Sequence, residues 1–496
     1  MRRLAWIAAV LVMPMLAVPA SAQPHPEPPH PELARPEQPR QPVPPPLPSA
    51  ITRHTLELPG RTLHFTATAG AIRLTDAQDQ PQADVGVTAY VLDGADPASR
   101  PVTFAINGGP GAGSVWLQLG ALGPWRLALD GITPSIPPVT VPNADTWLDF
   151  TDLVFLDPPG TGFGRIVAPG EEARKRFWSV GGDLDALAET IRRWLQQNNR
   201  LASPKAIAGE SYGGFRAPRL ARMLPGSQGV AVFALVLISP ALDLGGSGPG
   251  DNVITSAGLL PSMAAANSGA ADRAALADVE AYARGEYVTD LLRGPRDAAA
   301  LDRLSKRVSA LTGLDAALVR RLGGTISTQT FIHEHARAAQ SVASAYDATV
   351  TDPDPFPNSM VSLPPDPLLD GLQAPLSSAV TDLYTRTLDW HPTGRYEVMN
   401  AQVARAWDWG SNRPEAIRAL RVDLGFDPTL RVTIVHGLTD LVTPYFTTQL
   451  LLDRIPQIGP PGRVTLVTLP GGHMSYIRDA SRALLRSAAE RVIAPR

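Results

Sequence analysis

The sequence predicts an α/β protein with a mostly parallel central sheet flanked by helices and interrupted by an inserted helical cap. Short apolar runs alternate with glycine-rich turns and amphipathic stretches in residues 102–238, and the same rhythm returns in residues 432–469. Between them lies an alanine-rich region without strand-like runs. Upstream, residues 52–92 alternate polar and apolar side chains between glycines, which is typical of antiparallel strands at a sheet edge.

Composition narrows the class of protein. The 496 residues carry 44 basic and 47 acidic side chains, so the chain lacks the basic excess that would indicate nucleic-acid binding. It contains no cysteine, which excludes disulfides, thiol catalysis and thiolate metal sites. The length suits either one large domain with an insertion or two domains.

Local patterns predict the individual elements. Apolar residues recur at helical spacing over residues 183–197, and alanine-rich stretches predict further helices at 268–284 and 297–311. Continuous apolar runs predict buried strands at Val102–Ile106, Leu153–Leu156, Lys205–Ala208, Val232–Ile238, Val432–Val435 and Val464–Leu469.

The first residues have the pattern of an export signal. Arg2 and Arg3 precede an apolar run at residues 4–18, and a small-x-small cleavage motif ends at Ala22. We therefore expect a signal peptide at residues 1–22 and a mature protein that is periplasmic or extracellular. An uncleaved membrane anchor is the alternative, but the apolar run is short for a membrane span.

The rest of the chain divides into a linker, a cap and a two-part α/β domain. Proline crowds residues 23–49, which favours an extended, disordered linker. The α/β domain is predicted at residues 50–242 and 400–496, with the helical cap at 243–399 between its parts. No later segment is apolar enough to cross a membrane, so no stable membrane association is expected after cleavage.

A nucleophile motif follows one of the predicted strands. Residues 209–213 read Gly-Glu-Ser-Tyr-Gly, directly after the strand at 205–208 and before a helical stretch. A G-x-S-x-G sequence in this strand-turn-helix context is the nucleophile elbow of an α/β-hydrolase fold, in which a tight turn exposes the serine hydroxyl. Ser211 is therefore the predicted nucleophile, and a simple glycine-rich turn is the competing interpretation.

A serine nucleophile needs a histidine base that is oriented by a carboxylate. In this fold the acid and the histidine follow the serine along the chain. Asp440 follows the strand at 432–435, and His473 follows the strand at 464–469. Both lie where the carboxyl ends of parallel strands gather catalytic groups, so they complete the predicted triad.

Other histidines are weaker candidates. His436 lies close to Asp440 and is better explained as a hydrogen-bonded residue under that loop. His333 and His335 could bind a metal, but residues two apart point to different sides of a helix. We predict no metal and no cofactor.

A second glycine-rich turn, Asn-Gly-Gly-Pro-Gly at residues 107–111, follows the first buried strand. Its glycines would allow the backbone to approach a substrate closely. The backbone N–H of Tyr212, next to the nucleophile, is the expected donor to a developing oxyanion. A phosphate-binding loop is the rival interpretation, but no lysine follows Gly113.

Four of these stretches together resemble the serine carboxypeptidase family. They are Asn-Gly-Gly-Pro-Gly at 107–111, Asp-Pro-Pro-Gly-Thr-Gly-Phe at 157–163, Gly-Glu-Ser-Tyr-Gly-Gly at 209–214 and Gly-His-Met at 472–474. The second is one residue shorter than the family's loop. The resemblance implies an α/β-hydrolase that removes C-terminal amino acids from peptides.

The resemblance also assigns roles to particular residues. Asn107, Gly108 and Glu210 would bind the free carboxylate of the substrate. Because a carboxylate can bind a carboxylate only through a shared proton, such a site favours acidic pH.

The same resemblance assigns the oxyanion donors and one pocket residue. The donors would be the backbone N–H groups of Gly109 and Tyr212. Met474 would line the pocket for the leaving residue.

The chain departs from the family pattern at three positions. Ala121 precedes Leu-Gly-Pro, where the family commonly has a second glutamate, and Ala105 replaces a tryptophan. Ala112 replaces a cysteine, so the disulfides of the family cannot form.

The expected function is that of an exported serine-type carboxypeptidase that acts on peptides through an acyl-enzyme. An esterase, an aminopeptidase or an acyltransferase of the same fold remains an alternative, as does a non-catalytic binding protein. The sequence does not determine the oligomeric state or the side-chain preference.

Overall fold

The computed structural model describes residues 43–129, 133–135, 137–244, 252–359, 365–411 and 414–494. The predicted signal peptide and the predicted linker up to residue 42 lie outside the described residues. From residue 43 onward the chain forms one compact unit. The end of the predicted linker packs against this unit, because Trp390 Nε1 donates to the carbonyl oxygen of Pro48 at 2.8 Å and Leu47 contacts the core.

The strands of the described residues, in chain order, are β1 (Ala50–Leu58), β2 (Arg61–Thr75), β3 (Pro81–Leu92), β4 (Val102–Ile106), β5 (Trp125–Leu127), β6 (Thr140–Pro142), β7 (Asp152–Asp157), β8 (Arg165–Ile166), β9 (Lys205–Glu210), β10 (Ala234–Ile238), β11 (Ser341–Ala343), β12 (Thr351–Pro353), β13 (Arg431–Gly437) and β14 (Val464–Leu469).

The α-helices are α1 (Val115–Leu117), α2 (Glu171–Phe177), α3 (Val180–Gln197), α4 (Tyr212–Gln228), α5 (Val253–Ser268), α6 (Ala277–Tyr282), α7 (Val288–Arg293), α8 (Ala298–Thr312), α9 (Ala316–Arg321), α10 (Thr328–Glu334), α11 (Leu369–Asp382), α12 (Ala401–Ala406), α13 (Ile417–Phe426), α14 (Tyr445–Leu452) and α15 (Asp479–Ile493). Shorter 3₁₀ turns lie at Trp147–Asp149, Ala274–Leu276, Arg337–Ala339 and Ser475–Ile477, and π turns lie at Gln118–Leu122, Ala283–Tyr287 and Leu383–Thr387. Within the described residues, none of these helices has the length and apolar character needed to cross a membrane.

One large sheet organises the fold, with strand order β1-β2-β3-β7-β4-β9-β10-β13-β14 and β8 paired to β3. The first three strands are antiparallel to one another, and β3 also pairs antiparallel with β7. From β7 to β14 every pairing is parallel. The predicted α/β fold with a mostly parallel central sheet is confirmed, and the antiparallel strands lie at one edge as expected.

The central strands are apolar because both faces of the sheet are covered. Along β10, Ala234, Val236 and Ile238 belong to one buried cluster, and Leu235 and Leu237 belong to another. Successive side chains of a strand point to opposite faces, so this alternation places the two clusters on opposite sides of the sheet. Helices α3, α4 and α13 cover one face, while α11 and α15 cover the other.

Helices α5 to α11 and the β11–β12 hairpin occupy the region predicted as a cap. A third buried cluster joins helices α5 to α10 to residues that follow β13, including Leu438 and Tyr445. The helix predicted at 297–311 corresponds to α8. The helix predicted at 268–284 is wrong at its start, because α5 ends at Ser268 and Gly269 follows with a φ of +69°. That left-handed backbone conformation caps a helix and does not begin one.

We expect Leu187→Ala in α3 to lower the free energy of unfolding by about 2–5 kcal/mol, because Leu187 is fully buried and the smaller side chain leaves a cavity. Urea unfolding followed by circular dichroism measures the change. Asp185→Ala in the same helix is the matched control, since Asp185 is exposed. Equal stability of the two variants would contradict the packing of α3 on the sheet.

Candidate active site

Ser211 lies in a strained turn between β9 and α4. Its φ of 58° and ψ of −120° lie in a region that non-glycine residues rarely adopt. A Cβ atom at Gly209 would lie 2.1 Å from the carbonyl oxygen of Gly213, and one at Gly213 would lie 2.1 Å from that of Ile106. The turn therefore requires glycine on both sides of the serine, as the nucleophile elbow does.

The end of β10 holds this turn in place. The backbone N–H of Ser211 donates to the carbonyl oxygen of Ile238 at 2.9 Å, and the N–H of Ala241 donates to the Ser211 carbonyl at 3.0 Å. Ser239, between these two partners, donates its hydroxyl to the carbonyl oxygen of His473 at 2.7 Å. Ser211 and His473 are thus anchored to the same strand end.

The structure brings Asp440 and His473 into contact. The two residues follow the neighbouring parallel strands β13 and β14, and the distance from His473 Nδ1 to Asp440 Oδ2 is 2.9 Å. Both side chains are buried. An ionised carboxylate only accepts hydrogen bonds, so Nδ1 carries the proton and Nε2 is free to act as a base.

Hydrogen bonds fix Asp440 as a carboxylate. It accepts from the backbone N–H groups of Val442 and Thr443 at 2.8 and 3.0 Å, and the Thr443 hydroxyl oxygen lies 2.8 Å from its Oδ2. Burial by itself raises the pKa of Asp440, but the charge and hydrogen bond of His473 and the Thr443 N–H outweigh it and lower the pKa. Asp440 is therefore ionised when it supports the histidine.

The charges of Asp440 and Glu210 act on His473. Burial by itself lowers the pKa of His473, but the charge and hydrogen bond of Asp440 outweigh burial, and the charge of Glu210 adds to them. The pKa is raised above its ordinary value. A raised pKa makes His473 a stronger base, and it also means that the imidazole is protonated at acidic pH.

Tyr346 of the cap contacts His473, and no sequence motif marks this residue. The backbone carbonyl oxygen of Tyr346 accepts a hydrogen bond from the backbone N–H of His473 at 2.5 Å, and the two rings stand perpendicular with centroids 5.3 Å apart. A Cβ atom at Gly472 would lie 1.9 Å from the Tyr346 carbonyl oxygen, so glycine is required there. The backbone of Gly472 and His473 therefore contacts the cap as well as the sheet.

The glycine turn at 107–111 lies against the nucleophile elbow. A Cβ atom at Gly108 would lie 2.6 Å from the backbone nitrogen of Tyr212 and 2.8 Å from Ser211 Cβ. Gly109 has a φ of +96°, which a side chain would oppose. The two predicted oxyanion donors, the N–H groups of Gly109 and Tyr212, thus lie in segments that touch each other beside Ser211.

Glu210 is buried between Asn107 and Tyr476. Asn107 Nδ2 donates to Glu210 Oε2 at 2.5 Å, and the Tyr476 hydroxyl donates to Oε1 and Oε2 at 2.9 and 3.0 Å. Burial raises the pKa of Glu210 to about 7, against the lowering effect of the His473 charge and of these hydrogen bonds. A carboxyl group next to the nucleophile is therefore protonated in part at neutral pH.

A buried ion pair contacts the glycine turn at residues 107–111. Arg216 in α4 donates to both carboxylate oxygens of Asp183 at 2.7 and 2.9 Å, and its third contact is the carbonyl oxygen of Asn107 at 2.6 Å. Both charged side chains are buried. This pair is not predictable from the sequence, since a charged residue on an amphipathic helix gives no sign of its partner.

Two further residues considered from the sequence, Met474 and His436, are both buried. Met474 is buried and lines a cavity of about 730 Å³ together with Asp347, Leu368 and Arg478. His436 is buried beneath the Asp440 loop, where its Nε2 lies 2.9 Å from the Thr448 hydroxyl and burial lowers its pKa to about 4.

The rival metal site in the cap has a simpler explanation. His333 Nδ1 lies 2.9 Å from Glu334 Oε1, and the His335 ring stacks on Phe331 with centroids 4.6 Å apart. Among the described residues, no group of three or more histidine or carboxylate side chains is arranged to hold a metal ion.

Comparison with known proteins matches the part of the chain that contains the glycine turn and the elbow. Residues 89–243 match the family model described as serine carboxypeptidase. The chain resembles the serine carboxypeptidases. The matched region includes Asn107, Glu210 and Ser211 but ends before Asp440 and His473.

Curated relatives carry the same description. Serine carboxypeptidase-like 5 of Arabidopsis thaliana is 29% identical over 131 residues, which cover 26% of this chain and 29% of that protein. Serine carboxypeptidase 1 of Hordeum vulgare is 30% identical over 151 residues, which cover 29% of this chain and 28% of that protein. The matched segment thus spans less than a third of the length of either relative.

Solved structures that are similar to this chain include a thermophilic esterase from Thermogutta terrifontis. The TM-score is 0.37 and the identity 13%, and the alignment covers 86% of this chain and 100% of that one. Proline iminopeptidase from Mycobacterium smegmatis has a TM-score of 0.38, 14% identity and coverage of 85% of this chain and 98% of that one.

We expect Gly108→Ala to slow the reaction of Ser211 with a fluorophosphonate by about 100-fold, because the added Cβ would push the glycine turn away from Tyr212 and displace an oxyanion donor. Gly181→Ala in α3 is the control, since nothing lies within 4 Å of a Cβ atom at that position. Labelling rates are measured by mass spectrometry. Equal rates for both variants and the wild type would contradict the close approach of Gly108 to Tyr212.

Proposed function

We propose that the protein is an exported serine-type carboxypeptidase that releases C-terminal amino acids from peptides. The observation that carries the proposal is the carboxyl group of Glu210, which is buried beside Ser211 and accepts hydrogen bonds from Asn107 and Tyr476, and whose pKa is raised by burial. A protonated carboxyl group there would donate a hydrogen bond to the free carboxylate of a peptide, with Asn107 and Gly108 beside it. The similarity of residues 89–243 to serine carboxypeptidases supports the same activity.

In the proposed reaction His473 removes the proton of the Ser211 hydroxyl as Oγ attacks the scissile carbonyl carbon. The carbonyl oxygen becomes an oxyanion, which the N–H groups of Gly109 and Tyr212 stabilise. Asp440 holds the imidazole in the Nδ1–H form and stabilises the imidazolium that forms.

The intermediate then collapses and the peptide C–N bond breaks. His473 gives its proton to the leaving amine, which departs as the C-terminal amino acid past Met474. Water attacks the acyl-enzyme with His473 again as base, and the shortened peptide is released when Ser211 recovers its proton.

Recognition of a carboxylate by Glu210 makes the activity depend on pH. Above a pH of about 7 Glu210 loses its proton, and two negative charges then repel each other in a buried site. At low pH protonated His473 cannot act as base. The proposed peptidase activity is therefore greatest near neutral pH.

Export is part of the proposal and depends on the signal pattern in residues 1–22. The proposed partner is a peptide, with no nucleic acid and no stable membrane association.

We expect Ser211→Ala to abolish fluorophosphonate labelling and peptide hydrolysis, because it removes the attacking oxygen. Asp440→Asn should lower kcat by about 10⁴-fold, since an amide no longer fixes the Nδ1–H form of His473. Thr52→Ala in the edge strand β1 is a control remote from the site. Labelling that persists in Ser211→Ala would reject Ser211 as the nucleophile.

A blocked dipeptide and its C-terminal amide test the role of Glu210. In the wild type, kcat/KM for the acid should fall above pH 7, while kcat/KM for the amide should not, because only the acid is repelled by ionised Glu210. Glu210→Gln cannot ionise, so the fall for the acid should disappear. Equal pH profiles for acid and amide in the wild type would sink the carboxypeptidase proposal and favour an esterase or amidase.

A further inference from the structure

The Tyr476 side chain is an unassigned part of the Glu210 site. It lies in the 3₁₀ turn that follows His473, and it is fully buried. Its hydroxyl donates to both oxygens of Glu210, at 2.9 and 3.0 Å. A hydroxyl that bridges both oxygens fixes the rotation of the carboxyl plane as well as its position.

Gly120 leaves space for the Tyr476 ring. A Cβ atom at Gly120 would lie 2.6 Å from the Tyr476 ring, so any larger residue there would displace it. The neighbouring residue is Ala121, which is buried and has no group that could exchange a proton with Glu210. Within the described residues, the side-chain hydrogen bonds to Glu210 come from Asn107 and Tyr476.

Both partners act as donors to Glu210. An amide does not titrate, and burial together with the nearby charge of Glu210 raises the pKa of Tyr476 well above its usual range. Hydrogen bonds donated to a carboxyl group favour its ionised form, so they oppose the effect of burial. Among the residues that the structure describes, no second carboxyl group is hydrogen-bonded to Glu210.

Other charged groups face Glu210 from three further elements. The His473 charge lowers the pKa of Glu210, and the Asp440 charge raises it. Tyr346 contacts His473 from the cap, and its pKa is raised chiefly by burial and further by nearby charges that include Glu210. Tyr476 does not belong to the predicted triad. It contacts Glu210 directly through one hydroxyl group, which a substitution by phenylalanine removes.

We propose that Tyr476 is a positioning residue that sets the upper pH limit of C-terminal carboxylate recognition by Glu210. The proposal rests on the proposed function. By donating to both oxygens, Tyr476 stabilises ionised Glu210, which cannot bind a carboxylate. The hydroxyl thereby brings the upper limit of carboxypeptidase activity closer to neutral pH, while it keeps Glu210 aimed at the substrate.

Tyr476→Phe keeps the ring against Gly120 and removes only the hydroxyl. The alkaline limb of kcat/KM for a blocked dipeptide acid should move upward by about one pH unit, because the loss of one donor to a buried charge disfavours the ionised form. The amide of the same dipeptide should show no alkaline limb in either enzyme. Tyr90→Phe is the matched control, since Tyr90 is equally buried but its hydroxyl accepts from Gln118 at 2.9 Å.

A limb that stays in place or moves to lower pH in Tyr476→Phe would overturn the proposal, and an even loss of activity at all pH values would leave Tyr476 a structural residue. If Tyr476→Phe does not fold, Gly120→Ala replaces it, because the added Cβ would displace the ring and should move the limb in the same direction. A wild type that treats acid and amide alike would instead refute carboxylate recognition itself, and the role of Tyr476 with it.

Discussion

The C-terminal end of β10 is the point on which the site depends. Its Ile238 carbonyl accepts the Ser211 N–H, the Ser239 hydroxyl binds the His473 backbone, and the Ser239 carbonyl accepts the Thr443 hydroxyl at 2.9 Å. The backbone N–H of Thr443 in turn donates to Asp440. One strand end therefore holds segments that come from three separate loops, which is possible because parallel strands all finish at the same edge of the sheet.

Burial gives these anchored groups their chemical character. Asp440 stays ionised in the interior because His473 and its hydrogen bonds outweigh the cost of burial, and His473 gains basicity from the same pair. Glu210 has only neutral donors in direct contact, so burial prevails and its pKa rises to about 7. Two carboxyl groups near one histidine thus differ in pKa because of their partners, which suits the proposed roles of Asp440 as support for the histidine and of Glu210 as receptor for a carboxylate.

The sequence predicted the elements whose evidence is local. The strands at 102–106 and 464–469 have the predicted bounds, since a run of apolar residues between turns has few other stable conformations in an α/β protein. The predicted start of the helix at 268–284 is wrong, because alanine favours a helix on both sides of Gly269 and only the backbone conformation ends α5 there. Asp440 and His473 were paired from chain order and strand context, and the structure places them in contact.

By itself, the sequence determined the elbow at Ser211, the glycine turn at residues 107–111 and the order of the groups that follow the strands, because those features depend on residues that are neighbours in the chain. Only the tertiary structure decided the partners of Glu210. Tyr476 lies 266 positions further along the chain, and no local pattern connects the two. Packing of the turn after His473 against Gly120 brings the hydroxyl to the carboxyl group, and such long-range contacts follow from the complete fold.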